Sequence, residues 1–139
     1  MKNLIILVVS ILLSASTIHA TEVPDAVKTA FQQKFPIAKK VKWVKEKNSE
    51  YEASFMLDSK EVSATYLPDG KLKEVETEIP VSELPKAVTD AVNKKHPNAK
   101  IDEAAKIERS DNSIVYEAEL KIGGKKTDLL FDESGNVVN

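Results

Sequence analysis

Apolar residues recur with helical spacing in two short segments of the chain. They are Val23, Val27, Ala30, Phe31 and Phe35 in the first segment, and Leu84, Val88, Ala91, Val92 and His96 in the corresponding positions of the second. Spacings of three and four residues place such side chains on one side of a helix. Pro36 and Pro97 follow directly, and proline disfavours helical angles in the residue before it. The pattern predicts two amphipathic helices, each of which ends at a proline.

After each helix the hydrophobic pattern changes to a period of two. Tyr51 to Leu57 and Tyr116 to Ile122 both place an apolar residue at every second position, with mostly polar residues between them. This alternation is typical of antiparallel strands with one buried face. Short polar turns with glycine, such as those at Gly70 and Gly135, separate the runs. We therefore predict an α+β chain in which a helix precedes three or four antiparallel strands, twice.

The two halves are also related in their residues. Pro24 and Pro85 lie 61 positions apart, whereas Tyr51 and Tyr116 lie 65 apart, so one connection between residues 100 and 116 differs by four residues. A period of this length indicates one supersecondary unit used twice. We assign residues 21–78 to the first repeat and 79–139 to the second. Since a unit of roughly 60 residues buries little surface, we expect both to form one compact unit.

The first 20 residues have the layout of a secretory signal peptide. Lys2 gives a positive start, Leu4 to Leu13 are almost entirely apolar, and the small residue Ala20 precedes the expected cleavage point. The apolar run is shorter than the roughly 20 residues that span a bilayer, which favours a cleaved signal over a retained anchor. We expect a periplasmic or secreted mature chain without stable membrane insertion.

Composition removes several classes of chemistry from this mature chain. It has no Cys, and His96 is its only His once residues 1–20 are removed. Cysteine nucleophiles and cysteine metal ligands are therefore excluded. A single His also disfavours a catalytic triad or a histidine metal site. The net charge of -2 is unlike the basic footprint of a nucleic-acid-binding protein. We expect no enzyme activity, no cofactor, no metal ion and no nucleic-acid partner.

Three local clusters have both a functional and a structural interpretation. Lysines surround Trp43 between residues 39 and 47 and could bind an anion or nucleic acid, but a solvated strand with Trp43 in the core is favoured. Glu52, Glu117 and the acids near them could transfer protons, although strand-face acids more often form cross-strand pairs. Asp132 to Asn136 has oxygen ligands beside a glycine. It lacks the spacing of a calcium loop and favours a hairpin turn.

Together these features resemble the PepSY-like, β-lactamase-inhibitor-like family of small exported bacterial proteins. The residues that carry the resemblance are Pro24, Pro36, Trp43, Tyr51, Glu52, Phe55, Asp69 and Gly70 in the first repeat, and Pro85, Pro97, Tyr116, Glu117, Leu120 and Gly135 in the second. The resemblance implies one curved sheet built from two α-β-β-β-β repeats, with both helices on one face. It also implies a binding or inhibitory protein without established catalytic residues. The second repeat departs from the pattern, since His96 replaces Phe35 and Ala104 or Ala105 replaces Trp43.

We expect function on the sheet face that the helices leave uncovered. The side chains expected there are Glu52, Ser54, Met56, Glu61, Ser63, Thr65, Glu117, Glu119, Lys121, Lys126, Asp128 and Leu130. Sheet faces and edges can bind an envelope or secreted protein or peptide, and inhibition of an envelope enzyme is one form this could take. The alternative is a small-ligand carrier with a pocket between helix and sheet. A deep apolar cavity favours the carrier, and a solid core favours the protein binder.

Overall fold

A computed structural model describes residues 22–138. The predicted signal peptide, residues 1–20, lies outside the described residues. The elements run in the order α1 (Asp25–Lys34), β1 (Lys39–Lys45), β2 (Tyr51–Leu57), β3 (Lys60–Tyr66), β4 (Leu72–Ile79), a 3₁₀ helix (Val81–Glu83), α2 (Lys86–Lys95), β5 (Lys100–Arg109), β6 (Ile114–Ile122) and β7 (Lys125–Phe131).

The seven strands form one sheet in chain order. Each strand pairs antiparallel with the next, from β1 to β7. The α+β class and the repeated helix-then-strands arrangement are therefore confirmed. The first repeat supplies four strands. In the second, the segment expected to form a fourth strand makes a single bridge, between Phe131 and Val137.

Both helices pack on the same face of the sheet. Val75 and Ile79 point to one side of β4, because side chains of a strand alternate and these two are four positions apart. Val75 packs against the core formed by α1, and Ile79 belongs to the core formed by α2. Strand β4 thus joins two cores that lie side by side under one sheet.

The first core is aromatic. The ring of Phe31 lies 5.2 Å from that of Trp43 and 5.0 Å from that of Phe55, edge to face in both cases. Trp43 is therefore a core residue, while the lysines around it, such as Lys42 and Lys45, are exposed. This arrangement supports the structural interpretation of the lysine run.

The second core is mainly aliphatic: Val88, Val92 and Leu120 are fully buried in it, and among residues 22–138 Phe131 is its one buried aromatic residue. Trp43 pairs with Ala53 across β1 and β2, and Ala104 pairs with Ala118, the counterpart of Ala53, across β5 and β6. Ala104 is therefore the counterpart of Trp43, and the second repeat has a smaller side chain at this position.

The four-residue difference between the repeats lies in a longer hairpin. The β1–β2 turn is closed by the amide of Glu46, which donates to the carbonyl of Glu50, and the β5–β6 turn by the amide of Arg109, which donates to Ser113. Two residues separate Trp43 from the first turn, whereas four separate Ala104 from the second. Two residues are likewise gained on β6. A gain of two per strand preserves which face each side chain occupies.

The longer hairpin extends the contact between the repeats. Its added residues Ile107 and Glu108 pair with Glu76 and Val75 of β4, respectively. Strand β4 runs to Ile79, so the connection between the repeats begins at Pro80. The proposed repeat boundary at 78/79 falls inside this strand.

Candidate binding face

All twelve side chains expected on the uncovered face lie there. They alternate along β2, β3, β6 and β7 with residues of the two helix-side cores. Two of them contribute little surface, because Thr65 is only 8% exposed and Glu119 only 9% exposed. The others are half-buried or exposed.

Sequence reasoning missed the part of this face that the two central strands supply. These residues are Glu74, Glu76 and Glu78 on β4, and Glu103, Ala105, Ile107 and Arg109 on β5. The alternation of glutamates with Val75 and Ile79 was a usable signal for β4. The predicted repeat boundary at 78/79 divides this strand and concealed that signal. On β5 the four-residue insertion obscured the correspondence with β1.

Nine carboxylates share the helix-free face, which we call the acidic face. They are Glu52, Glu61, Glu74, Glu76, Glu78, Glu103, Glu117, Glu119 and Asp128. Five of the nine were expected from the sequence, and strands β4 and β5 supply the other four.

The centre of the acidic face is recessed. Ala105, Ile107 and Val115 are buried although no helix covers this side of the sheet. Thr65 and Glu119 are buried on the same face. Neighbouring side chains of the face must therefore cover them, which gives the central strands a partly apolar floor below the surrounding polar groups.

Glu76 lies near the middle of this floor, opposite Ser63 on β3 and Ile107 on β5. The pKa of its carboxyl is raised from the ordinary value of 4.5 to about 8, first by burial and then by repulsion from Glu117, Glu52 and other acids of the face. No cation among the described residues pairs with Glu76, and its ionisation is opposed by acids on several strands.

Glu117 occupies a similar position on β6, between Ala105 and Leu130. Burial, followed by repulsion from Asp128 and Glu119, raises the pKa of Glu117 to about 7. The pKa values of both carboxyls are raised, and by the same causes. An acid and a base in catalysis need environments that move their pKa values apart. The arrangement here is instead a patch of carboxyls that repel one another.

Two cations neutralise one side of the acidic face. Glu119 stands directly opposite Glu103 on one strand and Asp128 on the other, which is an unfavourable like-charge arrangement. The Lys126 ammonium compensates by lying 2.7 Å from Glu119 and 3.2 Å from Glu103. Arg109 lies 3.6 Å from Glu74.

Six acids of the face have no ion pair within the part of the chain that the structure describes. They are Glu52, Glu61, Glu76, Glu78, Glu117 and Asp128. Within residues 22–138, no three His, Cys, Asp or Glu side chains come close enough to hold a metal ion. The six acids are thus available to positive groups that are spread over several strands.

Grooves lie at the far end of each helix. One of about 560 Å³ is lined by Phe31, Phe35, Trp43 and their neighbours, between the end of α1 and β1. Another of about 300 Å³ includes His96 and Ile122 at the end of α2. Both are open to solvent. The helix–sheet interior itself is filled, with Val27, Ala53 and Ala64 fully buried.

The edge of the sheet at β1 has features that discourage pairing with another strand. Lys39, Lys42 and Lys45 are exposed, and a bulge lies between Lys39 and Lys42. The bulge includes Lys40, whose φ is 55°. Exposed lysines and bulges are the usual protection of an open edge, so the broad face offers the more accessible surface.

Solved structures of Bacteroides proteins share this architecture. A BLIP-like protein from Bacteroides fragilis NCTC 9343 has 27% identity and a TM-score of 0.67, with 84% of each chain covered. A protein from Bacteroides eggerthii DSM 20697 that is described as periplasmic has 19% identity and a TM-score of 0.74, covering 84% of this chain and 86% of that one. A DUF2874 family protein from Bacteroides uniformis ATCC 8492 has 18% identity and a TM-score of 0.73, with the same coverage. The last two likenesses show the fold alone.

No protein of curated function matches the chain. Neither helix between residues 22 and 138 is long and apolar enough to cross a membrane. A family model matches residues 13–73 and again residues 50–139, so that both repeats are included. The chain therefore belongs to the family described as "Putative beta-lactamase-inhibitor-like, PepSY-like".

Proposed function

We propose that this protein is an exported, non-enzymatic module that binds a protein or peptide through its helix-free sheet face. One observation carries the proposal: a broad face built from both repeats is left uncovered by the helices, and at its recessed centre it bears acidic side chains with no ion-pair partner among residues 22–138. Unpaired, partly desolvated charges are unfavourable in the free protein, and a complementary partner would relieve that cost.

The family description and the BLIP-like relative support inhibition of an envelope enzyme as the form of binding. Export is supported by the signal-like residues 1–20 and by the relative described as periplasmic. Mature protein would then meet its partner outside the cytoplasm.

A small-ligand carrier is the second candidate, and the aromatic groove beside α1 is the observation in its favour. Phe31, Phe35 and Trp43 offer flat apolar surfaces there. The groove lies at the end of the helix, however, while the space between helix and sheet is occupied by side chains. The helix-free face spans strands of both repeats, whereas this groove lies at the end of one helix. Protein binding is therefore the favoured function.

Site-directed photo-crosslinking tests the proposed function. A photo-reactive phenylalanine analogue replaces exposed Ser54 on the face in one sample and exposed Gln33 on the outer side of α1 in the other. After mixing with envelope extract of the producing cell, we expect a crosslinked partner from the Ser54 position and none from Gln33. Equal capture from both positions, or capture from Gln33 alone, would rule out the face as the binding surface.

If the captured partner is an enzyme, its activity is then measured with increasing mature protein. A stoichiometric loss of activity supports inhibition. An unchanged rate in the presence of a crosslinkable complex leaves binding in place and removes the inhibitory role.

A further inference from the structure

We infer that the partner docks a lysine- or arginine-bearing extended segment on the acidic face, across strands β4 to β6. This inference rests on the proposed function, since it names the chemistry of the partner at the same face.

Charge complementarity is the first support. Nine carboxylates share the face, whereas the cations paired with them are Lys126 and Arg109. Lys126 is shared by two of the acids and Arg109 by one, so that within residues 22–138 Glu76, Glu117 and the acids Glu52 and Asp128 near them have no ion-pair partner. The chain as a whole carries only -2 charges, so this excess belongs to the face and is not a general property of the surface.

The dispersion of the acids is the second support. They are spread across β2 to β7, and no three of them lie close enough to chelate a metal ion in the part of the chain described here. Lysine and arginine side chains are long and can reach separate carboxylates from one backbone. Their apolar stems can lie against a floor such as Ala105 and Leu130 while the charged ends meet Glu76 and Glu117.

The titration of the centre gives the docking a characteristic signature. Glu76 is repelled by Glu117, Glu52, Glu74 and Asp128, and Glu117 is repelled by Asp128, Glu119 and Glu103. The same face also carries the charged residues Glu61, Glu78, Arg109, Lys121 and Lys126. Because the free carboxyls have pKa values of about 8 and about 7, part of this pair is protonated near neutral pH. A cation seated there lowers both pKa values and expels protons, so binding strengthens as pH rises.

Calorimetric titration of the full mature chain tests the inference. The probes are an eight-residue peptide of alternating lysine and valine and its glutamate-valine counterpart. The variants are E76Q/E117Q and, as a charge-matched control, E83Q/E133Q, whose exposed acids lie in the 3₁₀ helix and the last turn. Thermal unfolding of both variants verifies that they remain folded.

We expect the lysine peptide to bind at least about tenfold more tightly than the glutamate peptide, and E76Q/E117Q to lose about tenfold while E83Q/E133Q changes little. Titrations near pH 7.5 in buffers of different ionisation enthalpy should show protons released on binding, and no release in E76Q/E117Q. Equal binding of the two peptides, or equal losses in the two variants, would overturn the inference.

Sedimentation of the free protein tests whether a second copy of the chain occupies the acidic face instead of a different partner. Self-association that E76Q/E117Q abolishes would assign the face to the basic β1 strand of a second copy and overturn the inference. If the Ser54 crosslinker captures a partner but the lysine peptide shows no preference, the proposed function stands and the cationic docking segment is rejected. If no partner is captured at Ser54 while the peptide binds as expected, the charge preference stands and the proposed function is rejected.

Discussion

At the scale of single residues, each position in one repeat can be compared with its counterpart in the other repeat. Tyr66 and Phe131 are counterparts, and each is 1% exposed in its core. The Tyr66 hydroxyl has no hydrogen-bond partner among the described residues, and burial raises its pKa to about 12. Phe131 fills the same position in the second core without burying a hydroxyl.

We predict that Tyr66→Phe raises the free energy of unfolding by about 1 kcal/mol, since an unsatisfied buried polar group is costly. The reverse change, Phe131→Tyr, should lower it by about 1–3 kcal/mol for the same reason. Urea unfolding of both variants measures the effect. A clear loss in Tyr66→Phe would mean that the hydroxyl has a partner after all.

Glu76 gives a residue-scale prediction about pH. Its pKa is about 8 in the folded chain against an ordinary value of 4.5, so the folded state binds the proton more strongly than the unfolded state. Stability from this group is therefore present below about pH 4.5 and lost as pH rises through about 8.

We predict that Glu76→Gln reduces the loss of stability that accompanies the rise in pH from about 4.5 to about 8. Thermal unfolding should give similar melting temperatures for variant and parent near pH 5, and a higher one for the variant near pH 9. Glu83→Gln, on an exposed residue of the 3₁₀ helix, is the control and should leave the profile unchanged. Parallel profiles for Glu76→Gln and its parent would contradict the raised pKa.

At the scale of elements, two glycines fix how the sheet meets the helices. Gly70 and Gly135 both have φ above 80°, and each lies against the first turn of a helix. A Cβ at Gly70 would lie 2.8 Å from the carbonyl oxygen of Ala26, and one at Gly135 would clash with the carbonyl oxygen of Ala87. The sequence predicted turns at both glycines, but it did not predict that each turn contacts the backbone of a helix.

We predict that Gly135→Ala destabilises the protein by about 2–4 kcal/mol, because left-handed strain adds to a clash with backbone that cannot rotate away. Gly124→Ala is the matched control. Its φ is 82°, but a Cβ there would meet nothing within 4 Å, so it should cost about 1 kcal/mol. Chemical unfolding compares them. Equal losses would mean that helix contact adds nothing to the conformational strain.

The elements also show where prediction from sequence ends. Local patterns sufficed for α1, α2, β2, β3, β6 and β7, since stripes such as Val27 and Phe31 depend only on spacing. The pairing of β4 with β5 is a contact between distant segments, and nothing local sets its register. The burial of Glu76 depends on that register, because Ile107 comes to lie beside it only in the assembled sheet. The candidate face was therefore predicted at its flanks and missed at its centre.

At the scale of the whole molecule, β4 belongs to both repeats. Val75 completes the aromatic core, Ile79 completes the aliphatic core, and the pairing with β5 makes one sheet. The longer β5–β6 hairpin lengthens that pairing. The chain has no Cys, so no disulfide joins the two units, and packing, the β4–β5 hydrogen bonds and the Arg109–Glu74 ion pair hold them together. The acidic face also crosses the junction, with Glu76 on one side and Glu117 on the other.

This continuity leads us to predict that the repeats fold as one unit. A chain cut after Pro80 gives fragments 21–80 and 81–139, and the second loses both Ile79 and the strand beside β5. A unit of roughly 60 residues buries only about 60% of its unfolded surface, which leaves little margin for such losses. Each fragment is expressed alone and its thermal unfolding is compared with that of the full mature chain. We expect the second fragment to be unfolded or aggregated, and the first to be less stable than the full chain because the edge of β4 is exposed. Mixing the two fragments should restore cooperative unfolding if the β4–β5 pairing carries the stability. Fragments that each melt near the temperature of the full chain would show independent domains, and the acidic face would then join two separately stable halves.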